Sequence, residues 1–426
     1  MLSKDFLTTL TDTDKEVLRS IYLLRCLDEP TILETYYAPE GRTQDYVMRR
    51  IRKFVKCKVI EKVKYGEEWP ALFLTTSGVG LLRYYLTLPD EIYIKQKKKT
   101  ILGVYNSNDL KLDPRVIKHQ IYLNRFVSKF KIKADKLGIP WAYFDEKYLS
   151  KYTSIRPDGM IRIGGEDLFL EMDMGTEKNT QLRKKWENYR TFIRSEEYFQ
   201  REQNIKVLFI VGNVKNTELK ARRVKSLIYD EIVDIVDSDI DFYVADQDTL
   251  LNTVFEKLIP SCPYVTNTIS GFKMMLTRCC GFLVSSGDKL SHILGETKFD
   301  FYARKLNNNK KILVQDGETQ EYLIDLYVGK PVSVLKKIAY MGRTSSAFEV
   351  SMKRPIKYIV VIEDEKDFYQ DLKAIGIEIP SNVYFTTENR LRNMIFYEAL
   401  FQYDMLGSIV HFNNYSFSGK VFERSL

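Results

Sequence analysis

The chain has 426 residues, 65 Lys and Arg against 57 Asp and Glu for a net charge of +8, and 44% hydrophobic side chains. That length implies two or three domains, each with apolar mass for a core, and 12 prolines, 21 glycines and 13% aromatics exclude a collagen-like, low-complexity or wholly disordered chain. Apolar runs are strand-sized, the start Met1-Leu2-Ser3-Lys4-Asp5 has no signal core, and five cysteines (26, 57, 262, 279, 280) form no Cys-x-x-Cys pair; a cytoplasmic protein without a membrane partner, disulfide framework or zinc finger is expected.

Charge is unevenly placed. Residues 1–40 sum to −4, residues 41–64 to +7 and residues 65–90 to −2. Thr11-Asp12-Thr13-Asp14 offers N-caps before a helix with apolar Val17, Leu18, Ile21, Tyr22 and Leu24 at helical spacing. Pro30 opens a short second helix. After Gly41-Arg42-Thr43 a third places Val47, Ile51, Phe54 and Val55 on one face and basic residues over much of the rest. Val59–Val63 and Ala71–Leu74 flank Lys64-Tyr65-Gly66-Glu67-Glu68 as a hairpin, and a helix follows Thr75-Thr76-Ser77. Three helices and a basic hairpin are the order of a winged helix-turn-helix, expected to occupy residues 1–90. Its grip on double-stranded DNA would come from Arg42, Arg49, Arg50, Arg52, Lys53, Lys56, Lys62 and Lys64; the alternative is a solvated basic face on a packing helix. Residues 91–111, with Lys95, Lys97, Lys98 and Lys99, read as a basic, polar linker.

Residues 112–258 change pattern. A long amphipathic helix from Pro114 carries His119, and then come the strand-like Trp141–Phe144, Ser154–Ile163 and Asp167–Asp173. A helix with Leu182, Lys184, Lys185, Trp186 and Tyr189, the strand Val207–Val211, another helix and the strand Asp241–Asp246 complete an α/β core. Asp158 stands at a turn before one strand, while Glu171 and Asp173 share a face of the next, since side chains two apart on a strand project together. Carboxylates on an apolar strand are costly to bury unless paired or ligated, and three together suit an oxygen-rich Mg²⁺ or Mn²⁺ site for phosphodiester cleavage. An edge strand with one solvated face and an Asx turn at Asp158-Gly159 is the competing explanation.

Arg156-Pro157-Asp158-Gly159, Leu170-Glu171-Met172-Asp173-Met174-Gly175-Thr176-Glu177, Lys184, Lys185, Tyr189 and the helix segment His119–Arg125 resemble the replication-relaxation family of bacterial plasmids and mobile elements, over roughly residues 10–250. The resemblance implies a core like the PD-(D/E)XK (restriction-endonuclease-like) nuclease fold. Asp158 would be its first metal-binding acid and Glu171 its second. The usual lysine two residues after the glutamate is Asp173 here, so either Lys184 or Lys185 reaches back from the following helix or hydrolysis is weak or absent. A tyrosine-nucleophile relaxase is disfavoured, because His119, His292 and His411 are far apart in sequence. His119 itself reads as a packed or hydrogen-bonding residue rather than a catalytic one.

Residues 262–426 lie outside the resemblance and are expected to form a second α/β domain, read either as a degenerate copy of the core or as the strand–helix echo that any α/β domain yields. Tyr322–Gly329 lies on Phe169–Gly175 with Asp325 opposite Glu171 and Tyr327 in place of Asp173; Lys336-Lys337 falls near Lys184-Lys185, and Gln315-Asp316-Gly317 near Pro157-Asp158-Gly159. The resulting expectation is a DNA-binding protein of a plasmid or mobile element, acting in replication or relaxation and nicking DNA with Mg²⁺ or Mn²⁺. Asp158, Glu171 and Asp173 would be metal ligands and Lys184 or Lys185 would support the scissile phosphate. Its partners would be double-stranded DNA, a second copy in a homodimer, and the replication or mobilisation proteins of the same element. The alternative is a non-enzymatic initiator or transcriptional regulator with an inactive nuclease-like domain.

Overall fold

The computed structural model describes residues 6, 8–85, 93–96, 99–102, 105–212, 216–236, 239–290, 292–294, 297–315, 318–404 and 406–411. The chain divides into two units: Met1–Thr176 with Arg194–Gln203 and Phe209–Asn213, and Glu177–Ile193 with Asn204–Leu208 and Val214–Leu426.

In the first unit, α1 (Asp12–Leu24) starts at a capping box in which the Thr11 side chain accepts from the Asp14 amide and Asp14 returns the bond, satisfying donors a helix start leaves open. Its apolar stripe Val17, Leu18, Ile21, Tyr22 and Leu24 is buried. Then follow β1 (Leu27–Asp28), α2 (Glu29–Ile32, continued by a π turn through Tyr37) and α3 (Gln44–Lys56). β2 (Ile60–Val63), β3 (Ala71–Leu74) and α4 (Thr76–Tyr85) come next. The antiparallel sheet order is β1-β3-β2. β1 is too short for a periodic signal. The segment expected to be a linker instead holds a hairpin, β4 (Tyr93–Gln96) with β5 (Lys99–Leu102), and the short α5 (Ser107–Leu110); Lys97 and Lys98 fall outside the described residues.

α6 (Pro114–Leu137) is N-capped by Asp113 and ends on Gly138 in the left-handed region, φ +64°. It ties the earlier elements down: the Asn124 amide donates to the Leu24 and Cys26 carbonyls at 2.9 and 2.6 Å, and Arg125 pairs with the buried Asp28 at 2.5 Å. β6 (Trp141–Asp145), the short α7 (Glu146–Leu149), β7 (Gly159–Ile163) and β8 (Glu166–Asp173) follow, the three strands forming an antiparallel meander. β8 is buried along its whole length, and Arg162 on β7 holds Asp167 across the ladder at 2.7 Å. The end of β9 (Asn204–Val211) that belongs here runs on to Gly212, whose amide donates to the Asp173 carbonyl at 2.9 Å.

The second unit contains α8 (Asn179–Ile193), the Asn204–Leu208 part of β9, α9 (Thr217–Ile232) and β10 (Ile240–Ala245). After α10 (Gln247–Thr253), a π turn Val254–Leu258 and α11 (Pro263–Arg278) comes a seven-stranded sheet. It uses β11 (Leu283–Ser286), β12 (Phe301–Arg304), β15 (Glu321–Leu326), β16 (Lys357–Ile362), β17 (Val383–Thr387), β18 (Phe401–Tyr403) and β19 (Ile409–His411), in that order. A small hairpin of β13 (Val314–Gln315) and β14 (Glu318–Thr319) interrupts it between β12 and β15. β15, β16 and β17 are mutually parallel and the other pairs antiparallel. Both faces are covered, which is why the parallel strands read as continuous apolar runs. Leu323, Tyr358, Val360 and Phe385 pack with Leu335 and Ile338 of α12 (Val332–Met352), and Tyr322, Ile324, Ile359 and Val361 pack with Phe272 and Leu276 of α11. No helix among the described residues is long and apolar enough to cross a membrane.

Candidate functional site

The acids of the meander are positioned by the ladder. Gly159 pairs with Leu170, which carries Asp158 alongside Glu171. The Asp158 amide donates to the Leu170 carbonyl at 2.9 Å, and its carboxylate Oδ2 accepts the Met172 amide at 2.8 Å. Glu171 is buried, with only 2% of its surface exposed. Asp158 therefore binds the backbone of β8 next to Glu171. Glycine at 159 is needed for close approach: a Cβ there would lie 2.9 Å from the Tyr143 ring.

α6 supplies the group facing this cluster. His119 Nε2 stands 3.0 Å from the Met172 carbonyl oxygen and 3.3 Å from Asp158 Oδ2. One imidazole thus spans a carboxylate and the main-chain oxygen that follows Glu171, the hydrogen-bonding role expected of it. Over Gly159, burial pushes the Tyr143 phenol well above its usual range, with Asp145 adding to that shift. The sequence singled out His119 but not the Met172 carbonyl or Tyr143. Only the strand register brings these to the acids.

Asp173 is fully buried on the face Glu171 uses, and its Oδ1 accepts the Gly175 amide at 2.7 Å, shaping the turn that leaves β8. Among the described residues no group of three or more His, Cys, Asp or Glu side chains is set to hold a metal ion. The oxygen donors on hand are Asp158, Glu171 and the Met172 carbonyl. Such hard donors fit Mg²⁺ or Mn²⁺, since Mg²⁺ commonly takes one or two carboxylates and keeps several waters.

Lys184 and Lys185 lie on α8 in the second unit. Lys184 is exposed and pairs with Glu187 at 3.2 Å, and Lys185 pairs with Glu177 at 3.0 Å.

The basic block sorts into two kinds of residue. Arg49, Arg52 and Lys56 are exposed at i, i+3 and i+7 on α3, on the side opposite the buried Val47, Ile51 and Phe54. Arg42, Lys62 and Lys64 are exposed nearby in sequence, Arg42 leaning over the Tyr46 ring at 5.0 Å. Arg50 departs from the expected phosphate-binding set. Its Nε donates to Asp14 Oδ1 at 3.0 Å, a second nitrogen pairs with Asp14 Oδ2, and another bond reaches the Thr9 carbonyl at 3.1 Å. Asp14 is fully buried and also accepts the Tyr37 hydroxyl at 2.6 Å, so Arg50 is bound as its counter-ion. Lys53 is half-buried and donates to Thr9 Oγ1 at 2.7 Å.

No curated protein and no solved structure matches the chain. Residues 18–208 match the model of the family described as Replication-relaxation, and the resemblance of this chain to that family holds over the stretch that carries α3, His119, Asp158 and Glu171.

Proposed function

We propose that the protein is a DNA-binding factor of a plasmid or other mobile element, acting in replication or DNA relaxation, with a winged helix that holds double-stranded DNA and a metal-dependent core that nicks it. The match of residues 18–208 to the replication-relaxation family carries this reading. It is supported by the order helix, strand, helix, helix, strand, loop, strand with sheet order β1-β3-β2, and by the exposed stripe Arg49, Arg52 and Lys56. The antiparallel meander β6-β7-β8, with Asp158 and Glu171 side by side at its end, supports a nuclease-like core.

A divalent ion held by Asp158, Glu171 and the Met172 carbonyl would supply positive charge for the scissile phosphate and lower the pKa of a water. The chain's own residues set the stage: the Met172 amide orients Asp158, and His119 bridges Asp158 and the carbonyl. With Mg²⁺ or Mn²⁺ the protein should convert supercoiled plasmid bearing its own origin to nicked circles, and Glu171→Gln should stop this. No nicking with either metal would refute the enzymatic reading and leave a non-enzymatic initiator or regulator, which Asp173 in place of the usual lysine and Lys184 paired with Glu187 favour.

A further inference from the structure

The β11 edge of the seven-stranded sheet carries cations without acids. Residues 263–287, from α11 through β11, hold Lys273 and Arg278 and no Asp or Glu. Residues 301–315, from β12 into β13, hold Arg304, Lys305, Lys310 and Lys311 and again no acid; Asp316 and Gly317, which follow, fall outside the described residues. The ladder gathers most of these cations at one end. α11 finishes at Arg278, the Phe282 amide turns back to the Leu276 carbonyl at 3.1 Å, and Leu283 pairs with Arg304. A Cβ on Gly281 in that turn would lie 3.9 Å from Lys305 Cε. Beyond Lys305 the chain closes a hairpin, in which the Asn307 amide donates to the Lys311 carbonyl and the Leu313 amide to the Lys305 carbonyl, each at 2.8 Å. Asn307 Oδ1 accepts the amides of Asn309 and Lys311, each at 3.0 Å, and Lys310 takes the left-handed region, φ +57°. The tip, residues 307–311, is exposed and held by its own hydrogen bonds.

We propose that this end of the sheet is a second surface for duplex DNA, with Arg278, Lys310 and Lys311 on backbone phosphates and the side-chain amides of Asn308 and Asn309 beside them. This surface rests on the DNA-binding reading above, independently of α3 and of any metal. Charge sets it apart within its own unit. On α8, Arg183, Lys184, Lys185 and Arg190 pair with Glu231, Glu187, Glu177 and Asp234. Arg278, Lys310 and Lys311 are exposed and have no acidic partner among the described residues. Arg304 leans over the Tyr302 ring at 5.3 Å and Lys305 over the Phe282 ring at 4.9 Å, so these two are partly engaged in packing. Uncompensated like charge repels itself, and a polyanion relieves that repulsion. A duplex presents about one negative charge per 1.7 Å of its axis and takes Lys, Arg and Asn contacts on its backbone whatever its sequence. A tip already fixed loses little freedom on docking.

The test is fluorescence anisotropy of a labelled duplex with the full chain over a series of salt concentrations. Arg278→Gln, Lys310→Gln and Lys311→Gln combined should make the slope of log K against log salt shallower by about 2.7, at ~0.9 per phosphate. Binding at ~0.15 M salt should weaken roughly 10²-fold. Lys353, Lys366 and Lys373, exposed elsewhere in the unit, supply a charge-matched control whose replacement by glutamine should leave the slope in place. A patch variant, folded by circular dichroism, that keeps the wild-type slope overturns the proposal, as does a control that flattens the slope equally. Where the triple variant does not fold, Lys310→Gln/Lys311→Gln on the exposed tip should still flatten the slope by about 1.8. Loss of binding to phosphatidylserine vesicles with duplex binding intact would assign the patch to a lipid surface and also overturn the proposal. If replacing Arg49, Arg52 and Lys56 leaves the slope unchanged while the patch variant flattens it, α3 loses its assigned role and this surface stands. A wild-type protein that binds no duplex removes both.

Discussion

Arg49 and Arg50 are neighbours in sequence with opposite fates, and a salt titration separates them. Arg49, Arg52 and Lys56 form an exposed stripe opposite the buried face of α3, whereas Arg50 has 14% of its side chain exposed and is spent on Asp14. If the stripe contacts three phosphates of a duplex, replacing all three residues by alanine removes three released counterions. The slope of log K against log salt should then become shallower by about 2.7, from ~0.9 per phosphate. At 0.15 M salt the same relation puts the loss of affinity at roughly 10²-fold. Arg50→Ala should leave that slope unchanged and instead cost stability, on the order of 3–5 kcal/mol, because it strands a buried carboxylate. The assay is fluorescence anisotropy of a labelled duplex over a series of salt concentrations, with urea melts run alongside. A triple variant that is folded and keeps the wild-type slope would remove α3 from DNA binding. An Arg50→Ala protein with wild-type stability and a shallower slope would refute the division drawn between the two arginines.

Other consequences are open to simpler measurements. Burial pushes the Asp145 carboxyl up, partly offset by the Tyr148 amide and the Tyr105 hydroxyl that it accepts. The folded state then holds that proton more tightly than the unfolded chain, so the contribution of Asp145 to stability is greatest at low pH and declines as pH rises from about 4 through the folded value. Asn caps a helix as well as Asp, so Asp145→Asn should flatten that decline without a loss at pH 7; a loss above about 1 kcal/mol in a urea melt, the size of one neutral hydrogen bond, refutes this. Lys225 and Asp371 form an ion pair in which each side chain is 1% exposed, and burial, ahead of the opposing pull of Asp371, pushes the lysine down to about 8. Unfolded lysine keeps its proton to about 10.5, so the stability contributed by this group should rise between about pH 8 and 10.5. Lys225→Met should cost about 3–5 kcal/mol, and adding Asp371→Leu should recover most of it; a double variant no more stable than the single one would count against the pair as the cause.

What the sequence made legible was periodic or local. α1 and α3 follow from apolar residues at helical spacing, and the hairpin β2-β3 from alternation around Gly66. Asp158 and Glu171 were legible as acids at a turn and on an apolar strand. The rest depends on partners distant in sequence. The fate of Arg50 is set by Asp14 in another helix, and composition makes it indistinguishable from Arg49. Lys-rich residues 93–102 read as linker, because a two-stranded hairpin with a polar sequence leaves little apolar alternation.

The residue that departs most from the nuclease pattern, Asp173, is therefore best understood through charge. A lysine two residues after Glu171 would share its strand face and answer the negative charge of Asp158 and Glu171 from within the motif. Asp173 adds to that charge instead, while its carboxylate is drawn to the Gly175 amide and the turn out of β8. The group facing Asp158 from α6 is a histidine, His119, with Nε2 3.3 Å from Oδ2. In the second unit a strand acid is answered from the following helix instead: Lys337 on α12 donates to Asp325 at 2.7 Å, while the Tyr327 hydroxyl donates to Asp371 at 3.0 Å.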